Sequence, residues 1–532
     1  MSGDTLSSRV EQVRQRAADV ASGLSRTGRR TATIAQERAV LRMLGVDGLD
    51  RAGHPLATTL AERYCGSDTS RLARGVLLPF VVAMLEYDMT PHELALDGAS
   101  GAIDLGFEAQ LLERPDRLAA AQKRGALLIE AALARFDANR TATHEMRDVL
   151  GQPDEPWLGV DLKATEVAAG VAEARSMIAG GVDLIQVQVP ASWEFAEARR
   201  QAGLATPGLF EFPVPRRGKA PPVRPAAEPV PAGSQRGLAS LRAAVDDAAA
   251  QRRCYASLMT VTSAFAAPEQ AVVAAFERID FVGADPVCEI VEDNVDPERA
   301  LADHSFAHRL QARAGCRVVI GPGPLALGAD VVSGIPSDSA TRSGRALALQ
   351  ALGVELALAD GLPADRLMLG AVPDWAAEDG DPGAMLLQAW LRRIVFPDHR
   401  LVMGGTRGWL TSAGGAAAMV SALTSANVAL VLEPSLAGNV GSVATDLAAA
   451  AGTARALRTT LGDGDLHGDA VDLADRTLRA AGEVLAKLAA EGWESLLGPV
   501  GGGADGERLG RSAVVERADG PASAERLLKK LV

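Results

Sequence analysis

Basic charge, cysteine and long apolar runs are all scarce in this chain. Lys and Arg number 54 against 67 Asp and Glu, a formal net charge of −13 over 532 residues. Sequence-independent binding to nucleic acid needs a concentrated basic face, so that class is excluded. The four cysteines, Cys65, Cys254, Cys288 and Cys316, form no CxxC pair. They cannot build a disulfide framework, they signal no zinc or iron–sulfur site, and such usage fits a reduced cytosol. No apolar run approaches the roughly 18 residues that argue for a membrane span. Residues 1–30 are polar and charged, without the apolar centre of a secretory signal. The expectation is a cytoplasmic protein with neither a membrane nor a nucleic-acid partner. What is present is ample core material: apolar residues make up 48% and charged residues 23%. At roughly 100–200 residues per domain, the length implies two to four domains or one large barrel with additions.

Residues 1–150 read as a helical region. Leu6, Val10, Val13, Ala17, Val20, Ala21 and Leu24 mark one amphipathic helix. Thr33 is placed to cap a second, which stops at Gly45 or Gly48. Further helical patterns cover 72–85, 91–96 and 117–139, and strand signals are nearly absent. At Pro156 the texture changes. Eight short runs rich in Val, Ile and Leu alternate with Ala-rich helical patterns: 157–162, 182–189, 254–262, 280–287, 317–320, 366–372, 400–403 and 428–432. Strands alternating with helices imply parallel pairing. Eight such units favour an α/β fold, a (β/α)8 TIM barrel over 151–456, above an open doubly wound sheet. Between the second and third runs, 211–235 carries seven prolines from Pro213 to Pro231, with Arg216, Arg217, Lys219 and Arg224 among them. It reads as an extended surface insert or as a partner-docking arm. Residues 457–532 read as a C-terminal helical accessory region.

In a parallel barrel the active site lies at the C-terminal ends of the strands. That rule nominates Asp161 and Lys163, then Gln188, Pro190 and Ser192, then Thr260, Thr262 and Ser263. Asp285 follows, with Glu289, Glu292 and Asp293 beyond it. The later ends carry Gly321, Asp374, the run Gly404-Gly405-Thr406-Arg407, Glu433 and Ser435. Gly404, Gly405 and Arg407 fit a phosphate-binding turn of backbone N–H groups with a guanidinium beside it, or a tight turn that needs glycine. Gln188, Ser192, Thr260, Thr262 and Ser263 are candidates to bind a polar ligand; the last three equally fit helix caps. Asp285 and Glu433 are the acid–base candidates, the first within a carboxylate cluster that also reads as a solvated loop. His304 and His308 have i, i+4 spacing, but with neither HExxH nor a third ligand they are expected to face solvent on a helix, and no metal site is expected. No Ser/His/Asp triad, P-loop or GxGxxG context emerges.

Residues 31–50, TATIAQERAVLRMLGVDGLD, resemble the N-terminal T-x-x-x-ERAV-x-R-L-LG-(I/V)-DG segment of the lysine 5,6-aminomutase large (alpha) subunit family. Gly181-Val182-Asp183-Leu184-Ile185, Pro268-Glu269 with Glu277-Arg278-Ile279-Asp280, Gly361-Leu362-Pro363-Ala364-Asp365 and Ile394-Val395-Phe396-Pro397 resemble further segments of that family in the same order. The resemblance implies a barrel with helical additions that works with a small beta subunit. That partner would carry the cobalamin-ligating histidine and the lysine that holds pyridoxal phosphate. Adenosylcobalamin would supply a radical, and an amino group would migrate between neighbouring carbons of a lysine-like amino acid. Asp465-Leu466-His467 begins like a cobalamin-ligating DxHxxG, but Ala470 stands where glycine is required.

Departures from the pattern cluster where pyridoxal phosphate should sit. After the second strand the family's Arg-Thr-Thr-Gly-Gln-Ser becomes Val189-Pro190-Ala191-Ser192-Trp193-Glu194, so Val189 replaces a cation and Glu194 a serine. A carboxylate there is expected to repel a phosphate. Val287 stands where a ring-stacking aromatic is expected, and the proline-rich insert replaces a glycine-rich segment. The other reading is therefore a diverged barrel lacking pyridoxal phosphate, either a radical mutase on another substrate or a non-catalytic binding subunit. A lyase or aldolase using Lys163 is a third.

Overall fold

The computed structural model describes residues 3–189 (without 52, 67, 163 and 165), 194, 234–321, 339–371, 382–405, 426–431, 468–495, 508–511 and 514–518. All eight expected strands form. They are β2 (Trp157–Asp161), β3 (Leu184–Gln188), β4 (Ser257–Val261), β5 (Phe281–Gly283), β6 (Arg317–Ile320), β7 (Leu367–Ala371), β8 (Arg400–Gly405) and β9 (Val428–Val431). Each pairs in parallel with its neighbours, and β9 pairs with β2, so the sheet closes into an eight-stranded barrel. The runs read as continuously apolar because both faces are buried, one by the barrel interior and one by helices. Leu158, Val160, Ile185, Leu258 and Val318 pack outward, while Leu184, Met259, Phe281, Val319 and Met368 fill the interior.

At the N-terminal end the barrel is plugged. Trp157 and Phe281 meet edge to face at 5.8 Å, and the Arg317 guanidinium lies 5.3 and 5.4 Å from their ring centroids. Toward the other end the inward positions include small or polar residues, Asp161, Gln186, Gly283 and Gly370, beside the apolar Val261 and Leu430. The barrel is thus closed at its N-terminal end.

Helix Gly3–Arg30 follows the expected stripe, burying Val10, Val13, Ala17 and Ala21 in the same core as the barrel's outer face. It packs against helices Pro297–Ala314, Ser339–Ala359 and Gly468–Glu491. The last two cross closely: a Cβ on Gly344 would meet the Thr477 carbonyl oxygen at 2.6 Å. Thr33 caps helix Ile34–Met43 as expected, accepting from the Gln36 N–H at 3.3 Å. The expected helix over 72–85 is two helices, Thr69–Arg74 and Leu77–Tyr87, broken at Gly75. The one expected over 117–139 runs from Pro115 to Leu150. These elements form a second core around Leu41, Leu60, Phe80 and Phe136, which also takes in Val272, Phe306 and Leu310 from barrel helices.

The near absence of strands before residue 150 needs one correction. Strand β1 (Thr31–Thr33) pairs antiparallel with β10 (Val514–Glu516). Three residues carry too little pattern to register, and the partner lies at the far end of the chain. Among the described residues no helix is long and apolar enough to cross a membrane, and no group of three His, Cys, Asp or Glu is placed to hold a metal.

Candidate active site at the barrel rim

The segments after β3, β4 and β5 converge on helix Ile34–Met43. Its Gln36, Glu37 and Arg38 are buried, against the usual expectation that a helix turns such residues to water. Arg38 is the hub. Nε donates to Glu269 at 2.6 Å, Nη1 to Glu194 at 2.6 Å, and Nη2 to the Phe265 carbonyl at 2.6 Å. Arg42 donates to the other Glu269 oxygen at 2.8 Å. Arg299, on helix Pro297–Ala314, binds both oxygens of Glu194 at 2.9 and 3.0 Å and donates through Nε to Asp303 at 2.7 Å. Thr33 donates to Asp303.

Phe265 holds φ +63°, an uncommon conformation for an aromatic residue. Its ring lies 4.5 Å beneath the Arg299 guanidinium. Above it runs the 508–511 segment, where Leu509 exchanges backbone hydrogen bonds with Asn294 and Asp296 at 3.1 and 2.9 Å. A Cβ on Gly510 would stand 2.7 Å from the Phe265 ring.

This arrangement revises the reading of Glu194. Burial alone would raise its pKa, but Arg299 and Arg38 outweigh that and bring it down to about 2. Its charge is neutralised by two guanidiniums and does not face the mouth as a bare carboxylate. Val287, where a stacking aromatic was expected, is fully buried in the outer core. Val189 is uncharged. The described residues of this stretch therefore do not fit the phosphate of pyridoxal phosphate.

Asp285 is brought to the rim, but as a cap for helix Pro286–Glu292. It accepts from the Val287 and Cys288 N–H groups at 2.8 and 3.4 Å, and from Gly321 at 3.0 Å. Burial pushes its pKa up. The cluster is not a solvated loop: Asp285 and Glu289 are buried, and Glu292 is pushed up to about 7 by burial and then by Asp293 and Asp285. Nor do His304 and His308 face solvent. Both are buried; His304 Nε2 lies 2.9 Å from Glu289 and His308 Nδ1 lies 3.0 Å from Asp360, which also accepts from Ser25 at 2.7 Å.

The third strand end divides. Thr260 is buried and alternates with inward Met259 and Val261, so it faces the helices. Thr262 donates to the Gly283 carbonyl at 2.9 Å. Ser263 lies in the loop beyond, and Ala266 caps the next helix without a side-chain bond. Gly404 and Gly405 are the last residues of β8, in register with Leu430 and Val431 of β9, so they belong to the sheet and not to a turn beyond it. Gln188 ends β3 opposite Val261. Lys163, Ser192, Asp374, Arg407, Glu433, Ser435, the insert from 211 to 233, and Asp465 to His467 lie outside the described residues.

Three features of the rim escape sequence reasoning. Gln186 lies inside the barrel and donates to Asp161 at 3.3 Å; strict alternation from Leu184 would have exposed it within its apolar run. Arg38 was legible as a motif letter but not as a rim residue. Phe265 carried no signal, since its role depends on its backbone and on Arg299.

Comparison with known proteins bears on this rim. The model of the D-lysine 5,6-aminomutase TIM-barrel domain of the alpha subunit matches residues 5–192 and 232–412. The lysine 5,6-aminomutase alpha subunit of Fusobacterium nucleatum is 23% identical over 376 residues, covering 69% of this chain and 64% of that protein. Its counterpart from Acetoanaerobium sticklandii is 23% identical over 394 residues, covering 73% and 68%. The chain thus spans about two thirds of the length of these relatives. Likeness to solved structures is loose: a dihydropteroate synthase from Yersinia pestis is 14% identical, covering 57% of this chain and 93% of that one, with a TM-score of 0.32. A family match running through the barrel and the helical region that builds its rim means that this chain belongs to the D-lysine 5,6-aminomutase alpha-subunit TIM-barrel family.

Proposed function

We propose that this chain is the barrel-bearing large subunit of an adenosylcobalamin-dependent isomerase, a relative of lysine 5,6-aminomutase acting on lysine or another small amino acid together with a small cobalamin-binding subunit. The observation that carries this reading is a joint between two segments of the resemblance. Arg38, from the 31–50 segment, bonds to Glu269, from the Pro268-Glu269 segment. Within the reading, adenosylcobalamin held by the partner supplies the radical. The residues of this chain do the rest: Asp161 and Gln186 offer a paired acceptor and amide to a polar substrate inside the barrel, while the Trp157–Phe281–Arg317 plug keeps water from entering below. Asp285 and Glu433 remain candidates for proton handling, with Gln188, Ser192, Ser263 and Arg407 as candidate ligand contacts.

The test is co-expression with a small cobalamin-binding subunit and titration with adenosylcobalamin, followed by absorbance. Stoichiometric uptake by the complex, with Co–C cleavage triggered by one of a panel of amino acids, is expected. Failure of the complex to take up cobalamin would sink the reading. The second reading, a barrel that keeps the scaffold without imine chemistry, is favoured by the closed ion pairs of Glu194 with Arg38 and Arg299.

A further inference from the structure

Arg38 and Arg299 come from distant parts of the chain and aim at one point. Arg38 Nη1 lies 2.6 Å from Glu194 Oε2, and Arg299 places Nη1 and Nη2 at 2.9 and 3.0 Å from Oε1 and Oε2. The two arginine side chains are 1% and 0% exposed, while that of Glu194 is 18% exposed. The guanidiniums are therefore the buried partners and the carboxylate the partly exposed one. Among the described residues, the two arginines otherwise meet Glu269, the Phe265 carbonyl, Asp303 and the Phe265 ring. Charge within the cluster balances, with Arg38, Arg42 and Arg299 against Glu194, Glu269 and Asp303. Without Glu194, two buried guanidiniums would direct three N–H donors and one uncompensated positive charge at a single, partly accessible place. That donor set recognises carboxylate and phosphate oxygens.

We propose that Arg38 and Arg299 form an oxyanion seat at the barrel rim and that Glu194 is an internal anion filling it, so that this barrel works without a ligand phosphate at that place and without pyridoxal phosphate. The seat itself stands on geometry; its bearing on cofactor use rests on the family reading above. An empty seat would be costly, because one buried positive charge would be left uncompensated. An internal carboxylate removes the need for a bound anion and makes the rim rigid before any substrate arrives. Glu194 is thus the residue that decides against a phosphorylated ligand.

The experiment compares the full chain with its Glu194→Ala variant. Thermal unfolding is followed in rising inorganic phosphate against sodium chloride of equal ionic strength. The native chain is expected to show no phosphate-specific shift. Glu194→Ala should melt lower in chloride and recover in phosphate, its midpoint rising by about 2 °C or more near saturation. Adding Arg299→Gln to that variant should abolish the recovery. A response of the native chain equal to that of the variant, or no phosphate-specific response of Glu194→Ala, would overturn the proposal. Should Glu194→Ala fail to fold, a second measurement decides: the native complex with its small subunit is titrated with pyridoxal phosphate and read by absorbance. No uptake is expected, and stoichiometric uptake overturns the proposal. Cobalamin uptake by the same complex is read separately, so failure of the seat and failure of the family reading give different results.

Discussion

Arg38 Nε lies 2.6 Å from Glu269 Oε2, joining the helix that follows β1 to the helix that follows β4. The two carboxylates that Arg38 binds stand on segments beyond different barrel strands. A single guanidinium thus ties the N-terminal helical region to the C-terminal end of the barrel strands.

Arg38→Ala should destabilise the chain by about 3–5 kcal/mol, because it removes the buried cation shared by Glu194 and Glu269, leaving each with one guanidinium, and takes the donor from the Phe265 carbonyl. Arg38→Lys should recover only part of this, since an ammonium cannot present the planar fork that serves Glu269, Glu194 and the Phe265 carbonyl together. Denaturant midpoints of the three proteins check it. Equal stability of Arg38→Ala and the native chain would show that the hub is not formed.

Two groups should tilt stability with pH in the same direction, in different windows. Glu292 is pushed from 4.5 to about 7 by burial, then by Asp293 and Asp285. A raised pKa means that the folded state holds the proton more tightly. Its contribution is full below pH 4.5 and is lost as pH rises through about 7. For His304, burial lowers the pKa, but the Glu289 carboxylate outweighs burial and the net direction is up from 6.5. Its contribution is complete below pH 6.5 and is lost as pH rises through the folded value. Glu292→Gln should flatten the lower window, changing the slope by about 1–3 kcal/mol in all. His304→Gln should flatten the upper one. Unfolding free energies at intervals from pH 4.5 to 9 separate the two, and a Glu292→Gln profile parallel to the native one would refute the assignment.

Acid should act on the rim in the opposite sense. Glu194 is depressed from 4.5 to about 2, so its contribution is present above 4.5 and is lost as pH falls through about 2. Removing Glu194 should therefore reduce the acid dependence of unfolding below pH 4.5. A variant that keeps the native acid limb would place that dependence elsewhere.

Gly510→Ala should loosen residues 508–511 and, with them, β10. The residue has φ +84°, and a Cβ would stand 2.7 and 2.8 Å from Phe265 ring atoms. Strain of this kind costs about 1–3 kcal/mol. Hydrogen exchange should quicken at Leu509 and along β10, while the β2–β9 ladder keeps its protection. Unchanged exchange at Leu509 would mean that the contact with Phe265 does not hold the segment.

The candidate site was only partly legible. The strand-end rule nominated Asp161 and Asp285, and the fold puts both at the C-terminal end of the barrel strands, because a (β/α)8 count fixes where that end lies. It misassigned Thr260, whose alternation with Met259 and Val261 turns it outward, and it placed Gly404 and Gly405 one step too far along, beyond a strand that contains them. The first concerns the direction of a side chain, which depends on the phase of the pleat and not on residue type; the second concerns where a strand ends, which two glycines do not mark. His304 and His308 were read as exposed because i, i+4 polar spacing is the same on either face of a helix; the neighbouring Glu289 and Asp360 made burial tolerable.

The sequence by itself determined the barrel. Eight apolar runs alternating with helices admit few other arrangements, since parallel strands need crossovers and both faces of the sheet must be covered. The Thr33 cap was equally local, a hydroxyl three residues before an N–H. What only the tertiary structure decided was the company of charges at the rim. Arg38, Glu194, Glu269, Arg299 and Asp303 are scattered along the chain, and ion pairing depends on distances through space that no period records. Glu194 shows the difference most plainly: in sequence it is a carboxylate in a phosphate-holding stretch, and in the fold it is the counter-ion of two buried arginines.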